Sequence, residues 1–267
     1  IHYAGGRPVL VETREEENFA LTAERVERAM TPRTKLVITN SPNNPSGAVI
    51  PARDMERILE ATASQGAWLL SDECYCHFVY EDSPFSIGAL PGAKDYLIVV
   101  GSLSKTYAMT GWRLGYALAP APLIAAMMKL QSHSTSNPSS IAQRAAVEAL
   151  AGPQDSVQEM LKEYRRRRDF VVEKLREIPG VRCTMPEGAF YAYPNIGAFL
   201  DSGTDKRGGA SSANELGKRL LLEAGVVVVP GEAFGTREHF RLSYATSMDN
   251  LEKGLDRLKR FFSEQAN

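Results

Sequence analysis

Lys105 lies in the stretch "GSLSKTYAMTGWRLGY" (residues 101–116), surrounded by Ser102, Ser104 and Thr106, and the next cation along the chain is Arg113. An amine that bonds covalently to a carbonyl carbon must be partly deprotonated, which a desolvated, cation-rich pocket promotes. Serine hydroxyls and a guanidinium able to form paired hydrogen bonds suit a phosphate dianion. The spacing therefore suits a phosphorylated aldehyde. Lys105 would take the carbonyl carbon, and Ser102, Ser104 and Arg113 the phosphate. A surface loop with incidental charges is the competing reading.

Three further stretches carry residue types of the same kind. "SPNNPSG" (41–47) follows an apolar run, and its prolines and glycine fix a turn on which Asn43 and Asn44 can present amides; a plain strand-to-helix turn is the alternative. "SDECY" (71–75) places Asp72 and Tyr75 where a buried strand should exit. A carboxylate there is costly to bury unless it meets a cation such as a protonated ring nitrogen, or unless Asp72 or Glu73 caps the turn that follows. "HFRLSYA" (239–245) sets Arg241 inside an apolar strand, where it needs an anionic partner: a substrate carboxylate or a structural ion pair.

Strands and helices must position these groups. "PVLVE" (8–12), "KLVITN" (35–40), "AWLLSDE" (67–73), "YLIVVGS" (96–102) and "RLGYALA" (113–119) are short apolar runs bounded by turn residues, as buried strands would be. Between two of them, "PARDMERILEATASQG" puts Met55, Ile58, Leu59 and Thr62 on one helical face, with Pro51 in the first turn and Gly66 as a stop. Alternation of this kind predicts crossover units and a largely parallel sheet, at whose strand ends the candidate groups gather. Beyond residue 120 helices dominate, including a charged one over 153–177. Its "YRRRRDF" run reads as a solvated, ion-paired face, with Glu159, Glu163, Asp169 and Glu173 within helical reach. "GAFYAYPNI", "VVVVPG" and "HFRLSYA" then read as strands, helices are expected over 211–224 and 248–263, and "DSGTDKRGGASS" (201–212) reads as a surface loop. The fold class is α/β: residues 1–150 form a large domain around the sheet and 151–267 a smaller α+β domain.

Composition narrows the function. With 31 basic and 32 acidic residues in 267, the net charge of −1 points away from nucleic acid and acidic membrane faces, and toward small-molecule chemistry. No run of about eighteen apolar residues marks a membrane span. Cys74, Cys76 and Cys183 lack zinc-ligand spacing and read as reduced thiols of a cytoplasmic protein. The chain opens on "IHYAGGRPVLVE", without a methionine or a secretory leader, and reads as entering a domain part-way.

At "SLSKTYAMTGWRLG", with "NNPSG" and "DECY" upstream and "RLSY" downstream, the sequence resembles the fold-type I, class I/II aminotransferases that depend on pyridoxal 5'-phosphate, specifically those related to bacterial aspartate aminotransferase. The resemblance implies a partial large domain that binds the cofactor and a small C-terminal domain. It implies that Lys105 forms the Schiff base and shuttles the proton, and that Asp72 pairs with the pyridine nitrogen. Tyr75 and Asn44 would hydrogen-bond the phenolate oxygen, and Ser102, Ser104 and Arg113 would hold the phosphate. Arg241, assisted by Asn44, would bind the substrate carboxylate. The implied activity is ping-pong transfer of an α-amino group between an amino acid of the aspartate or glutamate type and a 2-oxo acid.

The family's glycine-rich phosphate loop and its ring-stacking aromatic lie upstream of this chain's first residue, so half the phosphate cup is expected to be missing. "QSHSTSNPSSIAQ" (131–143) resembles the family's subunit-contact segment and implies a homodimer; His133 within it is assigned no role. A β-lyase acting on sulfur amino acids and a non-catalytic, aminotransferase-like regulatory domain are the alternatives. No metal is implied.

Overall fold

The structure, a computed structural model, describes residues 1–82, 84–90, 93–200 and 210–265. The chain divides into two compact units, one of Ile1–Pro42 and Ala48–Val157, the other of Asn43–Gly47 and Gln158–Asn267.

The first unit is built on a four-stranded sheet of β1 (Leu36–Asn40), β2 (Trp68–Asp72), β3 (Leu97–Ser102) and β4 (Gly115–Leu118), in that spatial order. β1, β2 and β3 are parallel, in a register that aligns Asn40 with Asp72 and Asp72 with Val100. β4 returns antiparallel and pairs Gly115 with Ser102. Helices α1 (Ala23–Ala29) and α2 (Ala52–Ser64) supply one side of the core. On α2, Met55, Ile58 and Thr62 recur at helical spacing and are buried, and Gly66 ends the segment at φ 65°, a backbone region open to glycine without strain. Pro51 sits one position earlier than expected, as the residue preceding the first helical turn. Ala23, Val26, Met55, Ile58 and Ile87 pack with Leu69, Leu97 and Val99 of the sheet.

The four-residue α3 (Leu103–Thr106) follows β3 directly, then α4 (Ala121–Ser134) and α5 (Ser140–Ala151). Leu103, Met109 and Leu114 cluster with Ala142 and Ala146 of α5, which fixes the chain on both sides of the Lys105 turn. Two expectations fail here. Residues 8–12 form no strand: Val9 and Leu10 are 66% and 82% exposed, so nothing rewards extending and pairing them. Nor are the strands buried throughout, since Leu36, Ile38, Tyr116 and Leu118 are exposed. An apolar run reports that a strand can be buried, not that both its faces are.

In the second unit, α6 (Asp155–Arg176) carries the charged run, and the division between units falls in its first turn. Glu163 pairs with Arg166 and Arg167, which hold its carboxyl down to about 2, and Arg168 pairs with Asp169. Arg168 departs from the solvated reading: it is buried and also donates to the Pro186 carbonyl. A small antiparallel sheet follows, in the order β5 (Tyr191–Ala192), β7 (Phe240–Ser243), β6 (Val229–Pro230). The expected strands exist but two of them are only two residues long. α7 (Ala213–Arg219) continues as a π-helical turn over Leu220–Ala224, and α8 (Met248–Gln265) closes the chain. Most of the loop expected over 201–212, residues 201–209, lies outside the described residues.

Glu73, the residue after β2, is buried. Its Oε1 accepts hydrogen bonds from the Ser71 hydroxyl at 3.1 Å and the Ile87 amide at 3.3 Å. Burial pushes its carboxyl above the ordinary range, against the lowering effect of the hydrogen bonds from Ser86, Ser71 and Ile87, with the Asp72 charge adding to the rise. A carboxyl raised by folding binds its proton more tightly in the folded state, so stability falls as pH climbs from the ordinary carboxylate value through the raised one. Glu73→Gln keeps the accepting oxygen and removes the charge. Thermal melts at about pH 5 and about pH 8 should show the variant gaining on the wild type at the higher pH; a gap that does not change with pH would refute the burial argument. Ile58→Ala, at a fully buried position, should cost about 2–5 kcal/mol in chemical denaturation of the first unit.

Candidate active site

The parallel register brings the ends of β1, β2 and β3 to one edge of the sheet, and the start of the antiparallel β4 to the same edge. Asp72 closes β2, Ser102 closes β3, Lys105 lies on α3 immediately beyond, and Arg113 lies just before β4, with Leu114 between them. Within the first unit the structure therefore gathers six of the candidates, Asp72, Tyr75, Ser102, Ser104, Lys105 and Arg113, on contiguous elements.

Local chemistry explains the turn that carries Lys105. Ser102 caps α3 by accepting the Ser104 amide on its hydroxyl oxygen at 3.1 Å, which leaves its O–H as a donor. The Thr110 hydroxyl donates to the Ser104 carbonyl at 3.0 Å, folding the following loop back on the helix. Ala108 and Arg113 take left-handed backbone conformations at φ 53° and φ 55°. Nη1 of the exposed Arg113 donates to the Thr110 carbonyl at 2.9 Å, which anchors the guanidinium by one nitrogen. Tyr107 reaches the far side, donating to Gln154 Oε1 at 3.0 Å, while Gln154 donates back to the Ala149 and Gly152 carbonyls at the end of α5.

Asp72 is half-buried, and Oδ1 accepts the Cys74 amide at 3.0 Å. The capping role and the cation-partner role are thus compatible, because the carboxylate has a second oxygen. Tyr75 is buried in the turn after β2. Cys74, read from sequence as a reduced thiol, lies beside these groups: burial and the Asp72 charge raise its thiol, while a hydrogen bond with Ser102 and the Lys105 charge act the other way. Cys76, deeper, is pushed up to about 12, chiefly by burial. Only the adjacency of "CYC" to Asp72 could have flagged Cys74.

The donor set of this edge fits a phosphorylated aldehyde with a basic ring. One amine, two serine hydroxyls, a guanidinium anchored by one nitrogen and a carboxylate with a second oxygen lie on adjoining elements.

Asn44 and Arg241 belong to the second unit and meet there: Arg241 Nη1 donates to Asn44 Oδ1 at 2.8 Å. The Asn44 segment is held by a local side-chain bridge, in which Asn43 Oδ1 accepts the Ser46 amide at 3.3 Å and the Ser46 hydroxyl at 3.0 Å. Gly47, at φ 73°, accepts the amides of Glu187 and Gly188 on its carbonyl; a Cβ there would lie 2.6 Å from Pro186 Cβ. Arg241 sits in β7 with no carboxylate as its hydrogen-bonding partner among the described residues. Its Cζ lies 4.5 Å from the Tyr191 ring centroid and 5.2 Å from that of Phe234, and its Nε, shielded from solvent, has no hydrogen-bond partner among the described residues. The two rings escaped the sequence reading. Tyr191 at least stood in an aromatic-rich run, "GAFYAY", whereas nothing in "GEAFGT" marked Phe234.

Among the described residues no cluster of His, Cys, Asp and Glu could hold a metal, and no helix is long and apolar enough to cross a membrane.

Comparison with known proteins identifies the family. An aspartate aminotransferase of Geobacillus stearothermophilus is 42% identical over 268 residues, covering 100% of this chain and 67% of that protein. The crystal structure of the aspartate aminotransferase from Rhizobium meliloti superposes with a TM-score of 0.89 at 43% identity, covering 98% of this chain and 66% of that one. An aromatic aminotransferase from Pyrococcus horikoshii also gives 0.89, at 39% identity and 98% and 69% coverage. The chain thus spans about two thirds of the length of the relatives it matches and has the fold-type I architecture. The model of aminotransferase class I and II matches residues 1–258, and the chain belongs to that family.

Proposed function

We propose that this chain acts as a pyridoxal 5'-phosphate-dependent aminotransferase, which moves an α-amino group between an amino acid of the aspartate or glutamate type and a 2-oxo acid by a ping-pong route. The observation that carries this reading is Lys105 on α3 at the sheet edge that also bears Asp72 and Arg113. The aspartate aminotransferases among its relatives support the acidic substrate. We further propose residues 1–150 as the partial cofactor-binding domain and 151–267 as the small domain, a division supported by the break near Val157. A cytoplasmic homodimer completes the reading, resting on the family and on the segment at 131–143.

When bound, pyridoxal phosphate supplies an electrophilic carbonyl carbon and an electron-accepting ring. Lys105 Nζ would hold the cofactor at that carbon, and as a free amine it would accept and redeliver the substrate's α-proton. The Asp72 carboxylate would pair with the ring nitrogen and favour its protonated form, as an adjacent charge of opposite sign does. Tyr75, with Asn44, donates to the ring oxygen. The Ser102 and Ser104 hydroxyls and the Arg113 guanidinium bind the phosphate by charge-assisted hydrogen bonds. Arg241, steadied by Asn44, binds the substrate α-carboxylate.

Borohydride reduction of the loaded protein followed by digestion should leave the pyridoxyl adduct on the peptide bearing Lys105, and an adduct elsewhere would overturn the assignment. Lys105→Ala should slow both half-reactions by about 10²–10⁴-fold, the usual worth of a positioned acid–base group. Arg241→Gln should raise KM for the amino acid by roughly 10–100-fold, as loss of a charge-assisted bond predicts. A half-reaction panel should rank aspartate and glutamate above phenylalanine. Pyruvate and ammonia released from a sulfur amino acid, in place of amino transfer, would move the reading to a β-lyase, and no turnover with bound cofactor would move it to a regulatory domain.

A further inference from the structure

Register in the small sheet explains how an aromatic ring comes to face Arg241. Tyr191 on β5 pairs with Ser243 on β7, and Arg241, two residues before Ser243, shares its face, so the Tyr191 ring reaches Arg241 diagonally across the strands. β6 pairs Val229 with Arg241 on the other side and leads through Pro230 into the short helix Gly231–Phe234, which delivers the second ring. That ring is itself placed by Tyr193, edge-on at 5.9 Å, whose hydroxyl bonds Thr236 at 2.6 Å and whose ring stacks on His239 at 4.8 Å.

A guanidinium withdrawn from water loses hydration over both its faces and its edge. Aromatic faces replace the first loss without taking a hydrogen bond, so the edge donors are not consumed. Here Asn44 takes one donor, on Nη1, and Nε has no hydrogen-bond partner among the described residues. A partner that saturated the edge, such as a carboxylate side chain, would compete with any ligand. Two rings and one neutral amide hold the cation without neutralising it.

We propose that Tyr191 and Phe234 are positioning residues: their rings fix the Arg241 guanidinium in one plane and keep its edge donors free for a planar carboxylate. This rests on the assignment of Arg241 to a substrate carboxylate, and the test separates the two. In the 267-residue chain, the Arg241 Nε–H signal, identified by its loss in Arg241→Lys, should show an ¹⁵N order parameter near the rigid-backbone value of about 0.85 before any ligand is added. A value below about 0.6 overturns the proposal with no further variant needed. Tyr191→Leu and Phe234→Leu should each lower that order parameter and weaken succinate binding by about fivefold or more, and Tyr191→Phe should restore most of both. Leucine variants that remain folded and keep the wild-type order parameter and affinity overturn it as well. If succinate leaves the Arg241 signal unmoved in the wild-type chain while the order parameter is high, the carboxylate assignment fails and the positioning role stands.

Discussion

Parallel pairing of β1, β2 and β3 is the constraint on which the first unit's site depends. In a parallel sheet successive strands end at the same edge, so residues that are distant along the chain arrive together without a dedicated loop for each. Asp72 and Lys105 are separated by an entire crossover, yet the alignment of Asp72 with Val100 sets them a few residues apart along neighbouring strands. The antiparallel return of β4 adds Arg113 to that edge, because a reversed strand begins where its neighbour ends. A one-residue slip in any pairing would send alternate side chains to the other face and disperse the group.

Polar satisfaction at this edge is local. Ser102 caps α3, Asp72 accepts the Cys74 amide and Arg113 is held by the Thr110 carbonyl. Asp72 and Arg113 are each fixed by one short-range bond, and the second carboxylate oxygen and the other guanidinium nitrogens keep capacity for a ligand. That division matters because a group bonded at every position is rigid but inert, and one bonded at none is mobile. Arg241 follows the same logic in the second unit through Asn44 and two rings in place of backbone carbonyls.

The fold class was legible in the sequence, and so were the residue types able to carry chemistry. Lys105 announced itself through its hydroxyl neighbours, and the strands before Ser41, Asp72 and Ser102 through apolar runs cut off by turn residues. What sequence could not supply was adjacency between distant segments. "PVLVE" has a strand's composition, but a strand also needs a partner edge and a face to bury, and residues 8–12 have neither among the described residues. Tyr191 and Phe234 reach Arg241 only because the small sheet takes the order β5, β7, β6, which composition does not encode. Glu73 looked interchangeable with Asp72 as a turn cap, and only the fold separates the buried carboxylate from the half-buried one.

The second unit is discontinuous in sequence: Asn43–Gly47 belongs to it although its chain neighbours on both sides belong to the first. Those five residues contribute the Asn44 oxygen that meets Arg241 and the Gly47 carbonyl that receives two amides, at 3.1 Å from Glu187 and 2.8 Å from Gly188. The C-terminal piece is therefore not a portable module. Excision at Val157, or recombination that swapped in a homologous tail there, would strand Arg241 without its amide neighbour and expose two backbone donors. Exchange of parts between relatives is tolerable only where residues near 45 and near 187 are inherited together, which ties the evolution of one stretch to the other.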